Sequence, residues 1–195
     1  MTDLITLAEY KTAKGLTSTN DDAKLTPLIA SVSKLVKTYC GTTFVDYYAT
    51  NLTEYFDIEY DTNFVQLNES PIVEIVSVHE RNNNAEAYTA LTSTEYYLQS
   101  STDSIFRVHS GGNGYISFLK GPGAVKVVYK AGYATTPADL KLAVIDLITY
   151  YLKEEHKTQR SIASTSMQNQ GTSSQPSSGD FPDHIKRVLD LYRLY

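Results

Sequence analysis

The 195-residue chain has no tryptophan, a single cysteine and no long apolar run. One cysteine, Cys40, rules out an internal disulfide and suits a reducing compartment. No apolar stretch approaches the ~20 residues that cross a bilayer, so no membrane partner is expected. The first residues lack a basic stretch followed by an apolar one, so no secretory signal is expected either. Asn51-Leu52-Thr53 and Asn68-Glu69-Ser70 match the glycosylation pattern, and without that signal they read as coincidence. A formal net charge of −5 does not suggest a sequence-specific DNA binder, which carries a basic patch or stripe.

What is present is an ordinary globular balance, 42% hydrophobic and 20% charged. The length suits one domain, or a domain with a large insertion, and suffices for a core without staples. Tyrosine stands out, with 16 residues against 6 phenylalanines. Its ring is apolar and its end polar, so it suits strands and wet interfaces alike.

Helical spacing marks four segments. Thr6–Lys14 reads as a short helix closed by Gly15. From an N-cap at Thr19, a longer helix carries Leu25, Leu28, Ile29, Val32, Leu35, Val36 and Tyr39 in steps of three and four, and ends at Gly41. Pro27 lies within it, as an early position or a kink. Cys40 reads as a small buried residue at the helix end. A third helix opens with Thr136 as N-cap and Pro137 at its first position, and buries Leu140, Val144, Leu147, Ile148, Tyr151 and Leu152. Its charged tail, Lys153–Arg160, reads as solvated. The polar stretch Ser161–Gly179 cannot bury much apolar surface by itself. A last helix is predicted over Pro182–Tyr195. Ile185, Val188, Leu189 and Tyr192 share one side, while Leu191, Leu194 and Tyr195 fall on another. A terminal helix apolar on two sides suggests one face packed at home and one on a partner.

Between Thr42 and Tyr133 the period changes to two. Strands are expected near Thr53–Ile58, Phe64–Leu67, Ile72–Glu80, Glu86–Leu91, Tyr96–Gln99, Ile105–Val108, Tyr115–Leu119 and Ala124–Lys130. Turns are expected at Asn82-Asn83-Asn84, Gly111-Gly112-Asn113-Gly114 and Gly121-Pro122-Gly123. Lys126 and Lys130 read as charges along a strand edge.

No catalytic pattern emerges. His79, His109, His156 and His184 are widely separated, and one cysteine cannot complete a zinc site. The Gly111–Gly114 run lacks the ending of a phosphate loop, and no Gly-x-Ser-x-Gly elbow occurs. Asp57, Glu59 and Asp61 alternate along one strand. Such a row is ordinarily a wet sheet face, with a divalent-cation site as the sharper alternative. No catalytic residue, cofactor or metal is therefore expected.

Tyr10-Lys11, Asp21-Asp22-Ala23-Lys24-Leu25, Leu28-Ile29 and Tyr39-Cys40-Gly41 resemble the opening helices of tailed-bacteriophage head–tail connector (adaptor) proteins. Lys126-Val127-Val128-Tyr129-Lys130-Ala131-Gly132-Tyr133 with Pro137-Ala138-Asp139-Leu140 resembles the strand and helix that close their core. Ile185-Lys186-Arg187-Val188-Leu189 resembles the C-terminal helix, and Pro71-Ile72 with Ser77-Val78 the inserted β region of larger members. Thr42-Thr43 departs from the basic residue expected after Cys40-Gly41.

The resemblance implies an α+β subunit, a helical bundle core with a large inserted antiparallel β domain and an extended C-terminal arm ending in a helix. Its divisions would be core helices over 1–41, the β domain over 42–133, a core helix over 134–160, and the polar loop and docking helix over 161–195. It implies a homo-oligomeric, dodecameric ring beneath the portal protein in the virion neck, assembled in the host cytoplasm. Genomic DNA would pass through the lumen without sequence-specific binding, and tail or nozzle proteins would attach below. Docking on the portal or another partner is expected through Ile185, Val188, Leu189, Leu191, Tyr192, Leu194 and Tyr195. Two alternatives stand beside this reading. One is a stopper or tail-completion protein, set apart by ring symmetry and portal contact. The other is an enzyme or carbohydrate-binding module built on the β domain, which would need a deep pocket with converging polar groups.

Overall fold

A computed structural model describes residues 2–111, 113–153 and 181–193. The chain forms two compact units, Thr42–Thr135 and the pair of segments Thr2–Gly41 and Thr136–Tyr195. Among the described residues the first is built of antiparallel strands and the second of four helices, so the fold is mixed α and β.

In the helical unit, α1 (Leu7–Lys14) starts with a capping box. The Thr6 hydroxyl accepts from the Glu9 amide at 3.2 Å, and the Glu9 carboxylate accepts from the Thr6 amide at 2.7 Å. Two amides without helical partners are thereby satisfied. The second helix, α2 (Asp22–Cys40), begins after Asp21 rather than Thr19, whose carbonyl instead takes the Asp22 amide at 3.2 Å. The helix runs through Pro27 and stops at Gly41, whose φ of 74° is left-handed and suits glycine. Leu25, Ile29, Val32, Val36 and Cys40 are buried. Leu28 is only half-buried and Leu35 is 38% exposed, so neither forms the center of the core. At 100° per residue the other five span a narrow arc, and Leu28 and Leu35 lie on its flank.

Helix α3 (Ala138–Leu152) starts one residue later than expected, with Pro137 at the cap position. The Thr136 hydroxyl is engaged elsewhere, donating to the Leu4 carbonyl at 2.7 Å. Leu140, Ala143, Val144, Leu147 and Ile148 are buried, whereas Tyr151 and Leu152 are half-buried. Helix α4 (Asp183–Asp190) is shorter than the predicted Pro182–Tyr195. Beyond it the Leu191 and Tyr192 amides reach back only three residues, to Val188 and Leu189, which tightens the last turn. Contacts of α2 with α1, α3 and α4, and of α3 with α4, close this unit around one core. Tyr10 is buried within it, its hydroxyl 3.2 Å from that of Thr149. The expected solvated tail and polar loop over 154–180 lie outside the described residues.

The β unit contains β1 (Leu52–Ile58), β2 (Phe64–Gln66), β3 (Ile72–Glu80), β4 (Thr89–Ala90), β5 (Tyr96–Gln99), β6 (Ser104–Arg107) and β7 (Gly121–Ala131). They form a four-stranded sheet ordered β1-β7-β3-β4 and a three-stranded sheet ordered β2-β6-β5. Val78, Val125, Val127 and Tyr129 from the first share a core with Val65 and Ile105 from the second. Period-two alternation sends these side chains to one face of each strand.

Three expectations fail here. Tyr115–Leu119 is no strand: Tyr115 makes one bridge to Val108, and the Phe118 amide turns to the Thr62 carbonyl at 2.9 Å. Glu86–Leu91 shrinks to Thr89–Ala90, because the Glu86 carboxylate is drawn into the preceding turn by Asn83 at 2.6 Å. Gly121-Pro122-Gly123 is the opening of β7, where an irregular register sets Gly121 against Ile58. Moreover, Lys126 and Lys130 stand on central β7, not on an edge.

Polar anchors sit inside the β unit. Arg107 on β6 and Glu80 on β3 are both buried and pair at 3.2 Å, tying the two sheets together. The guanidinium also donates to the Glu95 and Val108 carbonyls at 2.9 Å each. The Leu119 amide takes the other Glu80 oxygen at 3.3 Å. Such satisfaction is what makes a buried charge tolerable. Gly132, at φ 98°, lies so close to the Phe44 carbonyl that a Cβ would overlap it.

Candidate functional site

Helix α4 and the residues just after it carry the side chains expected to dock a partner, and the structure divides them. Ile185 and Leu189, four apart, face inward and are 1% and 0% exposed. They belong to the core of their own unit and cannot also meet a partner, which corrects their assignment as docking residues. Val188 and Tyr192 flank that face and are half-buried. Leu191 lies off it by most of a half-turn and is 77% exposed. Leu194 and Tyr195 lie outside the described residues.

Polar and aromatic contacts pin the helix. The Tyr39 hydroxyl donates to Asp190 Oδ1 at 2.6 Å, and the Phe181 ring meets Tyr39 edge-on at 4.9 Å. The Arg193 guanidinium lies 5.4 Å from the center of the same ring. The Tyr192 hydroxyl donates to both oxygens of Asp139, at 2.7 and 2.9 Å. The hydrogen bond to Asp190 raises the Tyr39 phenol above its ordinary range, since the carboxylate opposes a second negative charge. Cys40 is fully buried, with its thiol 3.6 Å from the Leu189 carbonyl. Burial, then the charge of Asp190, pushes that thiol up to about 12, so it packs rather than reacts.

The β unit presents a second surface, which sequence reasoning touched only as a Tyr-rich domain. Phe64, Phe106 and Tyr97 are cross-strand partners over the whole three-stranded sheet. Val65, Ile105 and Leu98 alternate with them and point to the core side. The Phe64 and Phe106 rings stack at 5.5 Å, and Tyr115 covers Phe106 at 5.3 Å. Phe64, Tyr97 and Tyr115 are 46%, 52% and 59% exposed. The signal was the alternation itself: Phe64 precedes core Val65, Phe106 follows core Ile105, and Tyr97 lies between Tyr96 and Leu98, which pack on the core. On the larger sheet, Tyr55 is also exposed, and the Tyr88 ring has Arg81 at 4.6 Å and Lys126 at 4.8 Å. Burial, with the nearby Lys126 charge, lowers the pKa of His79 beside it.

The acidic row does not assemble a cation site. Asp57 accepts from the Gly123 amide, and Asp61 pairs with Lys120 at 2.9 Å. Among the described residues no three His, Cys, Asp or Glu side chains gather as an ion-holding group. His109 and His184 are exposed and on different units, and His156 lies outside the described residues. In the Gly111–Gly114 run Gly112 lies outside the described residues, and the His109 amide donates to the Gly114 carbonyl at 3.0 Å. No helix among the described residues is long and apolar enough to cross a membrane.

Solved structures share this fold. A chain from the neck of an empty gene transfer agent particle, computed with C6 symmetry, matches with a TM-score of 0.62 and 14% identity, covering 98% of this chain and 90% of that one. One from the neck of the native particle, computed with C12 symmetry, gives 0.58 and 13%, covering 100% and 94%. A third, from the virion of the native particle, gives 0.62 and 15%, covering 98% and 90%. No curated protein matches the sequence. A family model described as head completion protein matches residues 3–195. With nearly every residue inside that match, the chain belongs to the head completion protein family and is a structural head–tail connector protein of the virion.

Proposed function

We propose that this chain forms a homo-oligomeric ring, dodecameric in number, in the virion neck beneath the portal, and that it is not an enzyme. The observation that carries the reading is the likeness over 98% of the chain to a protein of a particle neck computed with C6 symmetry, alongside a C12 counterpart. Genomic DNA passes through the lumen, and tail or nozzle proteins attach below. A net charge of −5 suits a channel through which DNA slides without sticking. The helices form the bundle core of the subunit, and the C-terminal arm provides the docking surface.

Within that arm, Leu191 is the residue best suited to meet the portal, with Val188 and Tyr192 at its margin. A leucine that is 77% exposed on a helix already packed through its other face is surface left for a partner. Deleting the helix would confound a test, because Ile185 and Leu189 would leave a gap in the core. Leu191→Asp is cleaner. The variant should keep its melting temperature and lose at least tenfold in affinity for purified portal. Unchanged binding would remove the helix from the portal contact. Electron microscopy of the chain bound to its portal tests the ring itself, and a single copy per portal would sink it.

A further inference from the structure

We propose that the aromatic stripe on the three-stranded sheet is where one copy of this chain meets the next. The inference rests on the ring reading and adds the surface that the ring uses.

The stripe crosses the whole sheet. Phe64, Phe106 and Tyr97 form one row through their pairing, and Tyr115 extends it. Each such ring offers roughly 150–250 Å², of which about half remains exposed on Phe64, Tyr97 and Tyr115 and less on Phe106, so together they present roughly 350 Å² of aromatic surface. That reaches the size at which an apolar patch on a lone subunit marks an interaction site. It is also about half of the ~800 Å² that each partner gives to a standard interface.

The next row, Gln66, Ser104 and Gln99, is polar but needs little from water. The Gln66 amide donates to the Thr102 carbonyl at 2.6 Å and accepts from the Ser104 hydroxyl at 2.8 Å. The Gln99 amide donates to the Ser101 hydroxyl at 3.3 Å. Groups that already hold partners can be covered at small desolvation cost. Neither row carries a charge.

Charge selects the occupant. Residues 42–135 hold eleven Asp and Glu against five Lys and Arg, a net of −6. A cationic partner would be drawn to the acidic surface, not to an uncharged stripe. A second copy brings the same negative sign, so like charges repel except where the surface is neutral. The neutral aromatic stripe is therefore the face that an identical subunit can approach. A ring contact is heterologous, so the stripe of one copy meets a different patch of its neighbor.

The test places the photo-cross-linking amino acid p-benzoylphenylalanine at position 97, Tyr97→p-benzoylphenylalanine, in particles assembled with this chain. The site is 52% exposed and tolerates the larger ring. Irradiation should yield an adduct of twice the 21.7 kDa chain, and adding Tyr115→Ser should reduce its yield severalfold. The same cross-linker at Tyr55, on the other sheet, should give none of that product. A chain present in particles that forms no such adduct, or that cross-links to another protein, overturns the stripe alone. A chain absent from the particles overturns both the stripe and the connector reading.

Discussion

The two units organize their stability differently. The helical unit forms its elements from neighbors close in sequence, Thr6 with Glu9 and Gly41 with Lys37, and then joins them by distant contacts such as Tyr39 with Asp190 and Thr136 with Leu4. The β unit needs distant residues already to pair its strands. Glu80 and Arg107 are 27 residues apart, and the Tyr129 hydroxyl reaches Glu54 across 75 at 2.8 Å. Burial and the Glu54 carboxylate hold that tyrosine far above its ordinary range. The charge differs as well. The β unit carries a net of −6, while the remaining residues hold twelve Lys and Arg against eleven Asp and Glu. Local periodicity marks the buried face of a helix before any tertiary contact forms, whereas a strand has no hydrogen-bonded partner until a distant segment supplies one.

The strongest way to break the comparison is Arg107→Ala. Removing the guanidinium leaves the Glu80 carboxylate buried without its counter-charge, which should cost ~3–5 kcal/mol. Hydrogen exchange should show protection lost among β3, β5 and β6. Loss confined to the helices would contradict the anchoring role. Leu147→Ala is the helical counterpart, at ~2–5 kcal/mol from lost burial and the cavity left behind. Its exchange signature should fall on α2, α3 and α4. Third, Gly132→Ala combines a φ of 98° with overlap against the Phe44 carbonyl, so it should destabilize by at least ~1 kcal/mol. A neutral effect in denaturant melts would mean that the backbone there relaxes freely.

The smallest effect is electrostatic. Lys141 and the Thr6 amide hold the Glu9 carboxyl below its ordinary value. A carboxylate lowered in the folded state stabilizes above its unfolded pKa, and that contribution fades as pH falls through the folded value. Protection of α1 amides should decline modestly under acid, and Glu9→Gln should remove the decline. A pH-independent α1 in the native protein would show that the capping box contributes nothing there.

Much of the helical unit was legible in the residues. Gly15 and Gly41 end their helices, and Leu25, Val32, Leu140, Val144, Leu147 and Ile148 are core. Caps were the weak point: Thr136 suits a cap by type better than Pro137, which took its place, because its hydroxyl is drawn to the Leu4 carbonyl instead. Strand positions such as Ile72–Glu80 and Tyr96–Gln99 were legible from alternation. Their partners were not, because alternation names a face and not a neighbor. The same holds for the candidate surfaces. Two apolar sides of the last helix were visible, but not that Ile185 and Leu189 are the side consumed at home.

The sequence by itself determined the approximate place of the helices and of most strands, and that one cysteine makes no internal cross-link, because those follow from local spacing and residue count. Tertiary structure alone decided that Arg107 is a buried anchor and that Lys126 sits mid-sheet. It also joined Phe64, Phe106 and Tyr97 into one stripe. Those outcomes depend on strand order and register, which only the closed chain defines.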